Sequence, residues 1–206
     1  MVTKSNSKAR DADATRMKIL DAALELIAGN GFAALGVNAL AGKAGVDKVL
    51  IYRYFDGLDG VISALAERRE LWLGDTEPGD VPAGSYGTVM AAFLLRYVAA
   101  LRTNPLVLRV IAWELVETSD RVKLLSEARA KVIRVWFAQA RKQARDPAPD
   151  VDAPAINALL IAGVHHLVLR EVSAGDFSGI DLTRPENWQR LENAITAIMK
   201  AVHRDP

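Results

Sequence analysis

Apolar residues recur every three or four positions along most of the chain, which is the spacing of amphipathic helices. The clearest pair of short stripes lies between Val37 and Phe55, and Gly45 separates the two stripes. Gly45 readily adopts the left-handed conformation that ends a helix, and Asp47 can cap the helix that follows. The pattern predicts a helix-turn-helix, whose second helix can lie in the major groove of DNA. A helical hairpin packed inside a core has the same pattern, so the stripes alone leave both interpretations open.

The rest of the chain also has helical periodicity. Apolar stripes and capping signals predict further helices at about 11–29, 57–73, 83–102, 105–116, 118–145, 152–174 and 184–203. Residues 74–84 contain two prolines and three glycines and are predicted to form a linker. The sequence has no alternating strand pattern and no internal repeat, and it therefore predicts an all-α fold of about nine helices.

Composition narrows the class of protein. Half of the 206 residues are apolar, which suits one compact unit or two small domains. The chain has no cysteine, so neither disulfides nor thiolate metal sites are available. No uninterrupted apolar run reaches the ~18 residues of a membrane span, and residues 1–13 lack the apolar core of a signal peptide. We therefore expect a soluble cytoplasmic protein.

Charge adds little on the scale of the whole chain, because the formal net charge is only +1. Residues 1–10 are polar and are predicted to be disordered. Lys4, Lys8 and Arg10 precede the first acidic residue, Asp11. A basic arm of this kind can reach DNA phosphates or remain a solvated tail.

The residues around the helix-turn-helix go beyond the generic motif. The sequence from Gly29 to Leu65 resembles the DNA-binding domain of the tetracycline-repressor (TetR) family of bacterial transcription regulators, and the resemblance covers roughly residues 15–65. Beyond residue 75 the likeness is architectural only. The matching elements are Ala22-Ala23, Gly31-Phe32, Leu40-Ala41, Ala44-Gly45-Val46 and Tyr52-Arg53-Tyr54-Phe55.

The resemblance implies which residues meet DNA. Lys48 and Arg53 are the predicted base readers, since such side chains can donate two hydrogen bonds to guanine. Val49 and Leu50 offer apolar contact to thymine methyl groups, and the positions of Tyr52 and Tyr54 commonly hold phosphates in the family. In the first helix, only Thr15 and Arg16 are expected near DNA. The full predicted DNA-binding set is Thr15, Gly36, Val37, Asp47, Lys48, Val49, Leu50, Tyr52, Arg53 and Tyr54.

Two positions depart from the family pattern. The family usually has Ser or Thr where this chain has Gly36, and Lys where it has Leu58. Both missing side chains would be phosphate ligands. Backbone N–H groups at a helix N-terminus can still bind a phosphate, but Asp56 and Asp59 add negative charge at that end of the predicted bridging helix. We therefore expect weak non-specific affinity for DNA, or compensation by the N-terminal arm.

Candidate catalytic and metal-binding residues are few. His165 and His166 are adjacent on a predicted helix, so their side chains point about 100° apart and cannot converge on one ion without other ligands. Packing or a place in a dimer interface explains them better. No serine lies in a nucleophile-elbow context, and no glycine-rich phosphate loop is present. We predict no enzymatic activity, no metal and no cofactor.

The predicted C-terminal helices suggest two further sites. In proteins that resemble this one, helices of the larger half enclose an effector pocket. A pocket here would draw on Met90, Phe93, Tyr97, Arg109, Trp113, Glu114, Glu117 and Trp136. Apolar stripes on the last two helices predict an isologous four-helix dimer interface, although they can also serve the core within one chain. The predicted interface consists of Ile156, Leu159, Leu160, Gly163, Leu167, Trp188, Leu191, Ile195, Ile198 and Val202.

Taken together, these features predict a ligand-responsive DNA-binding regulator, most simply a repressor that binds a near-palindromic operator as a homodimer. A small, mostly apolar effector would release it from DNA. Residues 1–56, with an arm at 1–12, would form the DNA-binding domain, and residues 57–206 would bind the effector and dimerise. The alternative is a helical module that binds small molecules or proteins and has degenerate DNA recognition, as Gly36, Leu58 and the low net charge suggest.

Overall fold

The computed structural model describes residues 3–75 and 77–203, and for residues 3–9 and Pro78 it describes the backbone only. Helix dominates this part of the chain, as the apolar spacing predicts, and the all-α fold is confirmed. The ten α-helices are α1 (Thr3–Asn30), α2 (Val37–Ala44), α3 (Lys48–Phe55), α4 (Leu58–Ala66), α5 (Arg69–Leu73), α6 (Tyr86–Thr103), α7 (Pro105–Val116), α8 (Asp120–Ala140), α9 (Ala153–Ser173) and α10 (Pro185–Val202).

The predicted bridging helix at 57–73 is instead two helices, α4 and α5, with a break at Glu67 and Arg68. Leu71, Trp72 and Leu73 are all buried, although consecutive positions on one straight helix point in different directions. The break separates this buried cluster on α5 from the buried face of α4. The expectation of one continuous helix is therefore wrong.

Two smaller predictions also fail. Residues 3–10, predicted to be disordered, continue α1 as helix, because this stretch contains neither proline nor glycine and propagation of a formed helix costs little. Between α9 and α10 lies a hairpin of two short strands, β1 (Asp176–Phe177) and β2 (Ile180–Asp181). Ser178 and Gly179 both have positive φ, as a two-residue hairpin turn requires. Strands of two residues are too short to leave an alternating pattern in the sequence.

The chain divides into two compact units. The first comprises residues 1–68 and 109–132, and the second comprises residues 69–108 and 133–206. Helices α7 and α8 each contribute residues to both units, since the divisions fall after Leu108 and after Val132. A functional boundary between residues 56 and 57 remains a prediction, and the compact units follow a different division.

The core of the first unit lies beneath the helix-turn-helix. Residues that are fully shielded from solvent come from each surrounding element: Ile19 and Ile27 from α1, Leu40 from α2, Ile51 from α3 and Ile62 from α4. Phe32, in a 3-10 helix after α1, is also buried in this unit. Burial of these side chains holds α2 and α3 in a fixed arrangement.

The core of the second unit is built around α6. Eleven residues of this helix are buried, and the helix packs against α10, α9 and α5. Trp188 of α10 is 2% exposed, and its indole N–H donates to the carbonyl oxygen of Leu182 at 2.9 Å. Arg102 of α6 lies over the ring of Trp188 at 4.3 Å and makes a bidentate ion pair with Glu171 of α9. These contacts join three helices of the unit.

Helix α9 has one property that the sequence analysis did not predict. It is long and apolar enough to cross a membrane by length and composition alone, with a mean hydropathy of 1.3, yet only 11% of the apolar window is buried. A helix that packs in an interface between subunits is expected to have the same properties. The helix also carries His165, His166, Arg170 and Glu171.

Helices α3 and α4 approach each other very closely at Gly60. A Cβ atom at Gly60 would lie 1.6 Å from the carbonyl oxygen of Phe55, which no side chain can occupy without movement of the backbone. The two helices are joined by a sharp turn in which Asp56 has a φ of 58° and Gly57 a φ of 105°. The absence of a side chain at Gly60 therefore sets the distance of α4 from the end of α3.

We predict that Gly60→Ala lowers the free energy of unfolding by about 1–3 kcal/mol, because the methyl group must separate α3 from α4. The matched control is Gly42→Ala in α2, where an added Cβ would contact nothing within 4 Å. That control should raise the free energy of unfolding by about 0.5–1 kcal/mol through helix propensity. Urea unfolding of the three proteins measures both values. Equal stability of Gly60→Ala and the wild type would contradict the packing described here.

Candidate DNA-binding surface and effector-binding residues

The turn between α2 and α3 is the tight turn of a helix-turn-helix. Gly45 is left-handed, with a φ of 65°, and its N–H and that of Val46 are hydrogen-bonded to Ala41 and Gly42 carbonyl oxygens at the end of α2. The carboxylate of Asp47 accepts a hydrogen bond from the N–H of Val49 at 2.8 Å. Gly45 therefore ends α2 and Asp47 caps α3, as the sequence predicts.

One face of α3 points to solvent and carries most of the residues that the sequence predicts to contact bases. Lys48, Val49, Tyr52 and Arg53 are all exposed, and Val49 and Tyr52 retain 62% and 55% of their accessible surface. These positions have the spacing i, i+1, i+4 and i+5, which places them on one side of the helix. On the opposite side Ile51 and Phe55 are buried. Two cations, a phenol and an apolar group are thus presented together.

Several of the other predicted DNA-binding residues are partly buried or make hydrogen bonds within the protein. Leu50, Tyr54 and Val37 are half-buried, and Asp47 is engaged in capping α3. The hydroxyl group of Thr15 donates to the backbone carbonyl of Asp11 at 2.7 Å. Their contact with DNA remains a prediction.

The two positions that depart from the family pattern both lie at helix N-termini. Gly36 precedes α2 with an extended backbone, at a φ of −120°, and gives α2 no side-chain cap. An added Cβ there would contact nothing within 4 Å, so nothing in the fold requires glycine at this position. Leu58 begins α4 and is half-buried, while Asp59 in the same turn is exposed. Neither helix start offers a side-chain donor to a phosphate.

The eight predicted effector-binding residues divide between the two compact units. Met90, Phe93, Tyr97 and Trp136 belong to the second unit and are buried. The ring centroid of Phe93 lies 6.0 Å from that of Tyr97, in a stacked pair, and 5.1 Å from that of Trp136. Three of the predicted residues, Phe93, Tyr97 and Trp136, therefore form one aromatic region of α6 and α8, and Met90 is buried on the same helix as Phe93.

Two members of this region were not predicted from the sequence. Phe137 packs edge-on against Phe93 at 5.7 Å between ring centroids. His165 of α9 shares a hydrogen bond of 2.5 Å with the hydroxyl group of Tyr97, which explains this histidine by packing rather than by metal binding. The neighbouring His166 instead packs against Phe177 of the hairpin. The Tyr97–His165 contact joins residues 68 positions apart, so no local pattern in the sequence predicts it.

Arg109, Trp113, Glu114 and Glu117 belong to the first unit, where both carboxylates have partners. Glu114 forms an ion pair with Arg129 of α8, at 2.6 Å between Oε2 and Nη1. Burial raises the pKa of the Glu114 carboxyl above its usual range, and the positive charge of Arg129 opposes that shift. Glu117 Oε2 accepts a hydrogen bond from the backbone N–H of Phe32 at 2.9 Å.

A groove runs between α9 and α10 and has an apolar lining. Leu159 is 73% exposed and Ile198 is 44% exposed, although both side chains are large and apolar. Gly163 is exposed and has open space where a side chain would be. The groove encloses about 180 Å³ and is lined by Leu159, Leu160, Gly163, Val164, Leu167, Leu191, Ala194, Ile195 and Ile198.

Three predicted interface residues lie outside this lining. Trp188 is buried against Arg102 of the same chain, so it belongs to the core of the second unit rather than to its surface. Ile156 and Val202 are half-buried near the ends of the two helices. The other seven predicted residues line the groove.

Comparison with known proteins places the chain in a family. The sequence pattern of bacterial regulatory proteins of the tetR family matches residues 19–65, which contain the helix-turn-helix. The HTH-type transcriptional repressor SCO4008 of Streptomyces coelicolor is 32% identical over 151 residues, or 69% of this chain and 75% of that repressor. The chain belongs to the tetR family. It is a transcriptional regulator with a helix-turn-helix DNA-binding domain.

Solved structures show that the tetR fold extends over almost the whole chain. The fatty acid degradation regulator FadR of Bacillus halodurans is similar with a TM-score of 0.64 and 17% identity, over 90% of this chain and 94% of that protein. FadR of Bacillus subtilis in complex with stearoyl-CoA has a TM-score of 0.55 and 17% identity, over 89% and 97%. A tetR-family regulator from Rhodococcus sp. has a TM-score of 0.57 and 21% identity, over 92% and 98%. At these identities the likeness concerns the fold.

In this tetR-family regulator the turn after α1 is held by one residue from the loop that follows α7 and by one residue from α8. Arg121 donates to the carbonyl oxygen of Leu35 at 2.7 Å, and Glu117 accepts from the N–H of Phe32. We refer to Glu117 and Arg121 as the turn clamp. Gly31 completes the fit, because a Cβ there would lie 2.9 Å from Glu117 Oε2 and 3.2 Å from the ring of Trp113. No local pattern indicates Arg121, because its partner is 86 residues away in the sequence.

Metal binding receives no support from the described residues. Within residues 3–75 and 77–203 no three side chains of His, Asp or Glu come together in a way that could hold an ion.

Proposed function

We propose that this repressor is a cytoplasmic homodimer that reads a near-palindromic operator with α3 and dissociates when a mostly apolar small molecule binds its C-terminal unit. The observation that carries the proposal is the exposed face of α3, where Lys48, Val49, Tyr52 and Arg53 lie together above a buried underside. The major groove of B-DNA is wide enough to admit an α-helix such as α3.

The side chains of that face suit separate tasks in recognition. Lys48 and Arg53 can donate to the O6 and N7 acceptors of guanine, and Val49 can contact the methyl group of thymine. Tyr52 can donate to a phosphate and fix the register of the helix on the duplex. Because Gly36 and Leu58 offer no side-chain donors, the proposal assigns a larger share of affinity to α3 itself.

One such face reads only a few base pairs, because α3 has eight residues and is about 12 Å long. Two copies related by a twofold axis would read two inverted half-sites about one helical turn apart. The proposal therefore requires a dimer.

The groove between α9 and α10 supports that requirement. Soluble monomers rarely expose continuous apolar surfaces, so the exposed side chains of Leu159 and Ile198 beside an apolar groove are best explained by a partner. The partner we propose is a second copy of the chain. Gly163 permits close approach of two α9 helices, and two helices from each subunit give a four-helix interface in which the same residues face each other.

The buried aromatic region of the second unit supports the proposal of an apolar effector. Small-molecule sites are mostly apolar with a few polar groups that fix orientation. Phe93 and Trp136 supply aromatic surface, and the Tyr97–His165 pair supplies a polar group that can exchange its internal hydrogen bond for one to a ligand.

The turn clamp offers a route by which the effector would weaken DNA binding. Trp136 and Arg121 lie on the same helix, α8, and are separated by fifteen residues, or about 22 Å of helix. A shift of α8 that accommodates a ligand at Trp136 would also move Arg121. Arg121 is hydrogen-bonded to Leu35, in the turn that leads into the helix-turn-helix. The helix predicted at 57–73 is less suited to this role, because it is interrupted at Glu67 and Arg68, between α4 and α5.

The first test concerns the reading face. Lys48→Ala and Arg53→Ala should each cost about 1–3 kcal/mol of operator binding and relax specificity at one base position. Lys200→Ala, which removes an exposed lysine from α10, is the control and should bind as the wild type does. An operator obtained by selection from random duplexes and quantitative footprinting would provide the measurement. Wild-type footprints for both α3 variants would refute the assignment of base readers.

The second test concerns the dimer. The double variant Gly163→Glu with Leu191→Glu should be monomeric in sedimentation and should lose operator binding, because four carboxylates would be buried in one interface. The control is Asn193→Glu, an exposed position on the opposite side of α10 from Leu191, which should stay dimeric. A folded double variant that still sediments as a dimer would place the interface elsewhere.

The third test concerns effector release. A panel of apolar molecules, with stearoyl-CoA and stearate among the probes, is screened by tryptophan fluorescence and then by operator release. We expect at least one binder to weaken operator affinity tenfold, which requires about 1.4 kcal/mol of differential affinity, and operator to weaken that binder equally. Arg121→Met should retain the binder and lose most of the effect on DNA. Binders that never alter operator affinity in the wild type would contradict the proposal.

A further inference from the structure

The last turn of the recognition helix is held by a side chain from α1. Arg16 donates a hydrogen bond from Nη1 to the backbone carbonyl of Tyr54 at 2.8 Å, although the two residues are 38 positions apart. Its guanidinium carbon lies 4.7 Å from the centroid of the Phe55 ring. One side chain thus contacts both the backbone and the buried aromatic residue at the end of α3.

Helix ends explain why this contact matters. The final carbonyl groups of a helix lack partners within it, and a cation is favourable at this negative end of the helix dipole. The N–H of Asp56 satisfies the carbonyl of Tyr52, and Arg16 satisfies that of Tyr54. The guanidinium group also gains from lying over the face of Phe55.

The neighbouring helix fixes the same end from the other side. The carbonyl oxygen of Phe55 abuts Gly60 of α4, where no Cβ can fit. Between these two contacts the C-terminal turn of α3 has little freedom to tilt. Lys48 and Arg53 are only five residues apart, about 7.5 Å along the helix, so a tilt at this end changes how the whole face meets the groove.

We infer that Arg16 is a positioning residue for DNA recognition, which sets the orientation of α3 from its C-terminal end without reading a base. The inference rests on the proposed reading face. It competes with a simpler role in which Arg16 is a phosphate ligand, because a guanidinium group has five donors and the contact with Tyr54 uses one. The two roles differ in salt dependence and in their effect on the protein without DNA.

The experiment compares Arg16→Met, which keeps an apolar stem and removes the donor and charge, with the wild type. Lys18→Met is the matched control, since it removes one exposed positive charge from the same helix. Hydrogen exchange of residues 48–55 is measured in the DNA-free protein. Affinities for operator and for a scrambled duplex are then measured between about 50 and 200 mM salt.

For Arg16→Met we expect at least tenfold faster exchange in residues 48–55, with α6 and α10 unchanged. Operator affinity and the preference for operator over scrambled duplex should both fall about tenfold, while the salt slope stays at the wild-type value. Lys18→Met should leave exchange in α3 and the preference unchanged. The exchange measurement needs no DNA, so it separates failure of this inference from failure of the proposed reading face.

Three results would overturn the inference. A salt slope reduced by about 0.9 with unchanged exchange would make Arg16 a phosphate ligand. Faster exchange throughout α1, α2 and α4 with an unchanged preference for operator would make it a general stabiliser of the first unit. Should Arg16→Met fail to fold, Arg16→Gln is measured in its place, since it also removes the charge and the guanidinium group over Phe55. Wild-type exchange and preference in that variant would be the third such result.

Discussion

An eight-residue helix does not persist in water on its own, so the recognition helix keeps its shape only through its neighbours. Asp47 caps its first turn, and Ile51 and Phe55 anchor its underside in the core. At its C-terminal end the chain turns sharply through Asp56, and α4 approaches without a side chain at Gly60. Every residue that reads DNA in the proposed function depends on this support.

The core that supports α3 is itself held by residues from other parts of the chain. The core beneath α3 includes Phe32, whose backbone N–H is bound by Glu117, and the turn that follows is bound by Arg121. Residues 109–132 thereby become part of the same compact unit as the helix-turn-helix, although they lie far away in the sequence. Because α3 is held by contacts from several elements, a change in any of these contacts can change the position of α3. Regulation by a distant ligand requires such a connection.

The sequence was sufficient for features that depend on local chemistry. The helix-turn-helix followed from Gly45 and Asp47, because a left-handed glycine and a capping carboxylate act on backbone groups within a few residues. The all-α fold and the family followed from periodicity and from the run Tyr52-Arg53-Tyr54-Phe55. Seven of the ten proposed interface residues line the groove between α9 and α10, because a helical stripe identifies an apolar face.

Features that depend on residues far apart in the sequence could not be predicted from local patterns. A stripe does not reveal whether an apolar residue faces its own core or a partner, which is why Trp188 was assigned to the interface while it packs beneath Arg102. Glu117 was assigned to a ligand pocket because it lies near Trp113 in sequence, yet its carboxylate binds the N–H of Phe32, 85 residues away. The break between α4 and α5 falls at Glu67 and Arg68, where neither proline nor glycine marks a helix end in the sequence.

The proposed function requires that two copies of α3 read one DNA site together. The decisive experiment is the selection of binding sites from a pool of random duplexes, followed by hydroxyl-radical footprinting of the most enriched duplex. We expect an enriched sequence with two inverted half-sites, and protection of two major-groove segments about 34 Å apart on one side of the duplex. Recovery of a single unrepeated half-site, or of no enriched sequence at low salt, would contradict it.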